Sequence, residues 1–362
     1  GAGSNPWTGS IARALENRSL KWETTDTKNI GFDFGLFGNH LNGNINYYIN
    51  ETRDLLITRR IAPSAGLDNP TLNVGKMRNQ GFELELNWND KISDFEYNVG
   101  FNISTIANKV VALANEDQTI YGVGLKYGTE HFPTQTKVGK PIGAFYLYQA
   151  DGIFQSLEEV QAHKNSKGEL LQPNAQPGDV RFKDMNGDGV IDEDDKTYSG
   201  TGIAKVEANL NLGASYKGFD FSAVIGSAFG NKIYNGIRYY YEGMNSGSNF
   251  LKTTLNAWTP TNTKTDVPRA VFGDPNQNTR ESTRFLENGD FVRLRQVQLG
   301  YTLPKALSKH IYCESIRFYV SAENVFTITG YSGANPEFSQ GVLNSGVDRF
   351  TYPFSRSYTV GA

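Results

Sequence analysis

Cysteine is nearly absent. Cys313 stands alone among 362 residues, which excludes an internal disulfide framework and says little about redox compartment. Charged residues make up 20%, below the roughly 25% usual for soluble chains. The net charge of −3 gives no pull toward nucleic acid or toward an anionic surface. No apolar run approaches the roughly 18 residues that a spanning helix needs. Barrel strands are a different matter, since they carry only a dilute, alternating hydrophobic signal that a negative mean hydropathy does not exclude. The start, Gly1-Ala2-Gly3-Ser4-Asn5-Pro6, has no Met, basic n-region or apolar h-region, and does not read as a natural beginning.

Catalytic material is equally thin, and the chain reads as a non-enzyme. His40, His131, His163 and His310 are scattered without ligand spacing and read as surface or turn residues. Cys313 has no partner His and reads as a strand-edge residue rather than a nucleophile. Gly122-Val123-Gly124-Leu125-Lys126 lacks the Gly-Lys-Ser/Thr of a phosphate loop. The pairs Glu158-Glu159 and Asp194-Asp195 read as surface charges rather than an acid–base couple.

What the chain has is alternation. Phe82, Leu84, Leu86 and Trp88 fall on one face of a strand, and Glu83, Glu85, Asn87 and Asn89 on the other. A turn at Asp90–Asp94 leads into a second arm, Phe95–Ile103, of the same polarity. Similar segments are predicted at 27–37, 40–61, 74–90, 93–107, 203–216, 218–229, 286–302, 316–326 and 352–362, after an irregular entry over 1–25. Tight turns at Gly38-Asn39, Asp90–Asp94 and Lys217-Gly218 alternate with long excursions at 62–73, 108–202, 230–285 and 327–351. Short turns on one side and long loops on the other predict an all-β fold, a transmembrane antiparallel β-barrel with long extracellular loops. A soluble sandwich also alternates, but with strands of about 5–6 residues and hairpins of more even length. Short helices are predicted only inside loops, at Leu157–Asn165 and Asn249–Trp258. The group Tyr234, Tyr239, Tyr240 and Tyr241 reads as packing under a loop, with stacking on a sugar as the alternative.

One motif carries specific chemistry. Asp184–Asp195 fits the twelve-residue calcium-loop template within an extracellular loop region spanning 155–202. Asp184, Asn186 and Asp188 would supply side-chain oxygens and Val190 its carbonyl; Asp192 acts directly or through water, and Asp195 closes the site. Gly189 permits the sharp turn and Ile191 points inward. Asp195 stands where a helical EF-hand has Glu, and no helix signal flanks both sides. A structural Ca2+ clamp on a surface loop is therefore expected, not a helix–loop–helix sensor.

Several blocks, in order along nearly the whole chain, resemble SusC-like TonB-dependent transporters of Bacteroidetes outer membranes. They are Leu20–Thr25 with Asn29–Phe37, Asn73–Glu83, Gly143–Tyr146 with Asp151–Gln155, Gly178–Asp184, Leu286–Arg295, Leu299–Pro304, Ser321–Phe326 and Tyr352–Arg356. The resemblance implies that residues 1–362 are the C-terminal portion of a 22-stranded barrel in the bacterial outer membrane. It also implies a plug and earlier strands in the N-terminal portion of the same transporter, TonB as the energy source, and a SusD-like surface lipoprotein as the lid. Glycans or peptides would be the cargo and no nucleic acid would take part. About nine wall segments are expected, or eleven if 108–202 holds a crossing pair. The family's last strand ends in an aromatic residue, whereas this chain stops at Val360-Gly361-Ala362, so it reads as part of a longer protein. The competing function is a passive or adhesive barrel with calcium-clamped surface loops.

Overall fold

The computed structural model describes residues 17, 20–58, 61, 63–114, 118–127, 129–244, 249–310 and 312–362. Most of the irregular entry expected at 1–25 lies outside these residues.

Ten strands form one antiparallel sheet. They are β1 (Thr24–Leu36), β2 (Leu41–Arg53), β3 (Gly75–Ile92), β4 (Phe95–Thr105), β5 (Ala107–Leu113), β6 (Val206–Tyr216), β7 (Phe219–Phe229), β8 (Phe291–Thr302), β9 (Arg317–Thr329) and β10 (Ser357–Gly361). Nine run side by side in chain order, and β5 pairs with the upper half of β3. Strands of 11–18 residues from β1 to β4 are long enough to cross a bilayer at a tilt.

The alternation predicted for β3 continues past its expected end. Lys91 pairs with Glu96 and Ile92 with Phe95, so the turn is Ser93-Asp94 rather than the longer Asp90–Asp94. Extending the hairpin adds the Lys91–Glu96 cross-strand ion pair, at 2.6 Å. Lys217 and Gly218, with φ of 46° and 90°, make a two-residue turn whose twist suits adjoining strands. A Cβ on Gly218 would meet the Thr302 carbonyl at 2.7 Å, so backbone freedom and space both require glycine there.

β4 and β6 pair along their full lengths, from Phe95↔Tyr216 to Thr105↔Val206. The segment 106–205 therefore inserts no crossing pair into the wall, which settles the count at nine side-by-side strands among the described residues.

The pairing puts like residues in rows. One face carries Ile30, Phe32 and Phe34 on β1, Ile45 and Tyr47 on β2, Phe82 to Trp88 on β3, Val99 to Ile103 on β4, and Leu210 and Leu212 on β6. The other carries Asn42, Asn44 and Asn46, then Glu83, Glu85 and Asn87, then Asn98, Asn102 and Ser104, then Asn209 and Asn211. The apolar face is bare: Ile30 is 73% and Phe82 59% exposed, with no protein layer over them. Apolar residues outside and amides inside are the reverse of a soluble core and the pattern of a membrane wall.

Near the turns the outward face is aromatic. Phe37 lies 6.1 Å from Trp88, Phe219 lies 4.4 Å from Tyr301, and Trp88 donates Nε1–H to the Tyr97 hydroxyl at 3.2 Å. Such a girdle sits at a bilayer–water interface.

At the opposite end the long connections fold together into a crown. Short strands at Ile120–Tyr121, Thr134–Thr136, Ala144–Leu147 and Thr197–Gly200 form one small sheet. Lys232–Asn235, Leu286–Asn288 and Val347–Asp348 form another, drawn from three separate stretches of chain. Leu125, Phe145, Leu147, Tyr234, Tyr239, Phe285 and Val347 are fully buried together. Each such large apolar side chain stabilises by roughly 1.5–3 kcal/mol. Among the described residues three short helices are α1 (Leu157–Ala162), α2 (Gly236–Tyr241) and α3 (Lys305–His310). The predicted helix at 249–258 is a 3-10 turn, Lys252–Asn256, and α2 and α3 went unpredicted. Cys313 follows α3 in an exposed turn; it is not on a strand edge.

Candidate lumenal site and loop crown

The amide face of β1–β5 forms one side of a cavity of about 690 Å³. Tyr48, Asn50, Asn79, Glu83, Ser104 and Asn108 come from the wall; Gln340, Val342 and Ser345 descend from the connection before β10. Alternation places these wall residues, since even a one-residue slip would send them all outward. Neighbouring polar side chains hold one another in place. Asn108 donates to Asn79 at 2.7 Å, Asn44 donates to Glu85 at 3.1 Å, and Asn209 donates to Asn102 at 2.9 Å. Tyr48 donates its hydroxyl to the Thr105 carbonyl at 3.0 Å. Asn50 Oδ1 is buried and has no hydrogen-bond partner among the described residues. The lining thus offers amide donors and acceptors in quantity and little formal charge, a surface that suits uncharged, hydrogen-bonding ligands.

The crown is fastened to this wall. The Ile142 N–H donates to Asn108 Oδ1 at 2.8 Å, and Thr134 donates to the Leu343 carbonyl at 2.8 Å. Arg293 donates to Glu337 at 2.8 Å and to Asn335 at 2.7 Å, while Arg295 donates to the other Glu337 oxygen at 2.9 Å. A second cavity, of about 380 Å³, lies where Arg295, Glu337 and Phe338 face Glu207 and Asn209.

Buried ion pairs brace the crown itself. Asp179 is fully buried and accepts from Arg269 Nε at 2.8 Å, Arg269 Nη2 at 3.0 Å and Asn278 at 2.9 Å. Glu242, also buried, accepts from Arg284, Arg238 and Thr253. Glu281 lies between Lys196 and His131. Burial pushes the Glu281 carboxyl up, but its contacts with His131 and Lys196 outweigh that and hold it below the usual range. His163 packs edge-on against Phe154 and meets the Phe182 carbonyl at 3.0 Å. Burial there lowers its pKa, and the carbonyl offsets this only in part. His131 and His163 are therefore internal parts of the crown, contrary to the surface reading of all four histidines. Composition does not reveal this, because their polar partners, Glu281 and the Phe182 carbonyl, lie far along the chain.

Tyr234 and Tyr239 are fully buried, while Tyr240 and Tyr241 pack on Phe350 at 5.6 Å. Loop packing accounts for all four.

The acidic loop lies on the crown. Asp184 accepts from the Gly187 and Gly189 N–H groups at 2.6 and 2.9 Å, Asn186 accepts from Asp188 N–H at 2.9 Å, and Asp188 accepts from Val190 N–H at 2.9 Å. Asp192 accepts from Asp194 N–H at 2.9 Å. Asp195, fully buried, accepts from Met185 N–H at 2.6 Å and Asp192 N–H at 2.9 Å, tying the two ends of the loop together. Gly189 takes a φ of +93°, and Ile191 packs on Tyr148, Val180 and Phe182. The Val190 side chain is exposed. The oxygens are those a hard cation takes, yet among the described residues no three His, Cys, Asp or Glu side chains converge as a metal cluster.

The wall, its girdle and its crown define an outer-membrane β-barrel, and comparison with known proteins identifies which kind. The chain belongs to the TonB dependent receptor-like, beta-barrel family, whose model matches residues 2–325. It is 30% identical to TonB-dependent receptor P3 of Formosa agariphila, over 99% of this chain and 36% of that protein. It is 27% identical to TonB-dependent receptor SusC of Bacteroides thetaiotaomicron, over 95% of this chain and 32% of that protein. The RagAB peptide transporter matches with a TM-score of 0.77 and 25% identity, over 99% of this chain and 37% of the matched chain. The chain thus spans about a third of the length of the relatives it matches. The SusC-like, outer-membrane assignment made from the residues holds, and these relatives are receptors and transporters rather than enzymes.

Proposed function

We propose that this chain supplies wall and extracellular crown to a TonB-dependent importer of glycans or peptides that works with a SusD-like surface lipoprotein. The observation that carries the reading is the amide-lined cavity under the crown, fed by Asn50, Asn79 and Asn108. Amides match the hydroxyls of a sugar or the backbone of a peptide equally well. The likeness to SusC and to the RagAB peptide transporter supports the same direction. That these relatives are named as receptors and a transporter supports transport rather than catalysis.

The test is to purify the full-length transporter from its own membrane. A surface lipoprotein should co-purify, and Asn79→Ala with Asn108→Ala should weaken cargo uptake at least severalfold while leaving the barrel assembled. Absence of any lipoprotein partner, together with uptake indifferent to both changes, would remove the reading.

The loop Asp184–Asp195 is proposed to take a structural Ca2+ through Asp184, Asn186, Asp188, the Val190 carbonyl, Asp192 and Asp195. Support comes from its all-oxygen donor set and from the Asp184 and Asp195 hydrogen bonds that already close the turn. Bound calcium would add opposite charge among four aspartates and stiffen the crown around Ile191. Calorimetry should show calcium binding that Asp184→Asn with Asp188→Asn abolishes; no heat at millimolar calcium would refute it.

A further inference from the structure

The outward face of the wall changes chemistry at one level. On β1, β2 and β3 its last fully apolar row is Ile30, Tyr47 and Phe82. The next row toward the crown is Lys28, Ile49 and Gln80, and the one after that is Asp26, Glu51, Arg78 and Lys109, in register across β1, β2, β3 and β5. Arg53 and Lys76 stand just above. Five cations, Lys28, Arg53, Lys76, Arg78 and Lys109, thus share this rim with two acids, Asp26 and Glu51.

The two acids hold some of the cations in place without neutralising the set. Lys76 and Arg78 meet Glu51 at 2.7 and 2.5 Å, and Arg53 pairs with Asp26. Lys28 and Lys109 are exposed and form no ion pair among the described residues. Further round the wall, the topmost outward residues of β6, β7 and β9 are Val206, Phe229 and Ile328, so the cations occupy one sector only. At the turn end the outward positions of β4 and β6 to β9 are Phe95, Tyr97, Tyr216, Phe219, Tyr301 and Phe318, none of them Lys or Arg. A rim that merely marked the edge of the membrane would have no reason to differ between sectors.

We propose that this sector binds the phosphate groups of a lipid in the outer leaflet. Its acyl chains would lie along Ile30, Phe32, Ile45 and Phe82, and its headgroup phosphates would meet Lys28, Arg78 and Lys109. With strands about 4.8 Å apart, Arg78 and Lys109 stand side by side and Lys28 lies two strands, or about 10 Å, from Arg78, a span that a headgroup with two phosphates can bridge. Arginine's planar fork takes two phosphate oxygens at once. The chain's slight net negative charge does not oppose this, because the interaction is local and falls off within about 8–10 Å.

The test uses the full-length transporter in detergent, with native mass spectrometry reading retained lipid. Lipid A carrying its phosphates should be retained, and the same lipid after phosphatase treatment should not. Lys28→Gln, Arg78→Gln and Lys109→Gln together should weaken retention on the order of a hundredfold, at about fivefold per cation. Lys91→Gln with Lys217→Gln, at the turn end, should leave it unchanged. Equal retention of the two lipids by the unmodified protein would overturn the proposal without any variant having to fold. Displacement of lipid A by equimolar inorganic phosphate would overturn it as well, since the site would then be one for the free ion.

Discussion

Arg293 on β8 and Glu337, 44 residues later, form a 2.8 Å ion pair on the lumenal face, with Arg293 almost wholly buried. Asn335 and Thr327 take its remaining donors, and Arg295 grips the second Glu337 oxygen. The connection before β10 is thereby pinned down against the inside of the wall. Replacing Glu337 by Ala would leave two cations without their shared acid; breaking a buried pair costs about 3–5 kcal/mol, discounted here because Glu337 is one-third exposed. Amide exchange over 335–346 should accelerate at least tenfold while that of β8 and β9 holds.

The face assignment makes an asymmetric prediction for adjacent residues. Leu210 points outward in the row of Phe101 and Ile225, and Asn211 points inward beside Gly100. Leu210→Lys should destabilise the assembled barrel by about 2–4 kcal/mol, and Asn211→Lys by much less. Unfolding titrations of the full-length barrel in lipid would show this, and equal losses would reverse the assignment.

Asp179 is the least replaceable acid of the crown. It is fully buried and receives Arg269, Asn278 and the Gln176 N–H. Asp179→Ala strands the guanidinium and should cost the crown about 3–5 kcal/mol. Limited proteolysis should then cut within 172–182 or 266–280, while Asp151→Ala, whose own side chain is 44% exposed, should leave the digest unchanged.

Acid should loosen the crown before the wall. His163 has its pKa lowered by burial, so the unfolded chain takes up a proton first and stability falls as pH drops below about 6.5. Glu281, although burial raises it, is held below the usual range by His131 and Lys196. Its contribution is intact above about 4.3 and is lost as pH falls through the lower folded value. Exchange protection at 144–148 and 280–285, corrected for intrinsic rates, should decline in two stages, and His163→Gln should remove the upper one. Protection that stays constant from pH 7 to 4 would contradict this.

How legible each part was depends on where its contacts lie in sequence. β6 and β7 could be placed within a few residues because Val206 to Tyr216 alternate and Lys217-Gly218 marks the turn. The β3–β4 turn was placed too early because Asp90 and Lys91 look like loop residues; only the Lys91–Glu96 pairing shows that they belong to the strand. The crown was far less legible. Its strands are two to four residues long, too short for a period to register, and its braces join Asp179 to Arg269 and His131 to Glu281. The acidic loop's turn follows from its spacing and Gly189, but neither the burial of Asp195 nor the seat of Ile191 on Tyr148 does.

The full-length pairing of β4 with β6 has one more consequence. Past β5, which stays on β3, the stretch 114–205 departs from and returns to the wall at neighbouring strand ends, so the β4–β6 ladder does not register its size or sequence. It behaves like a cartridge seated in a fixed socket. Evolution, or an engineer, can exchange 114–205 and so rebuild the surface loops, provided that β5 stays on β3 and Thr105 and Val206 still meet.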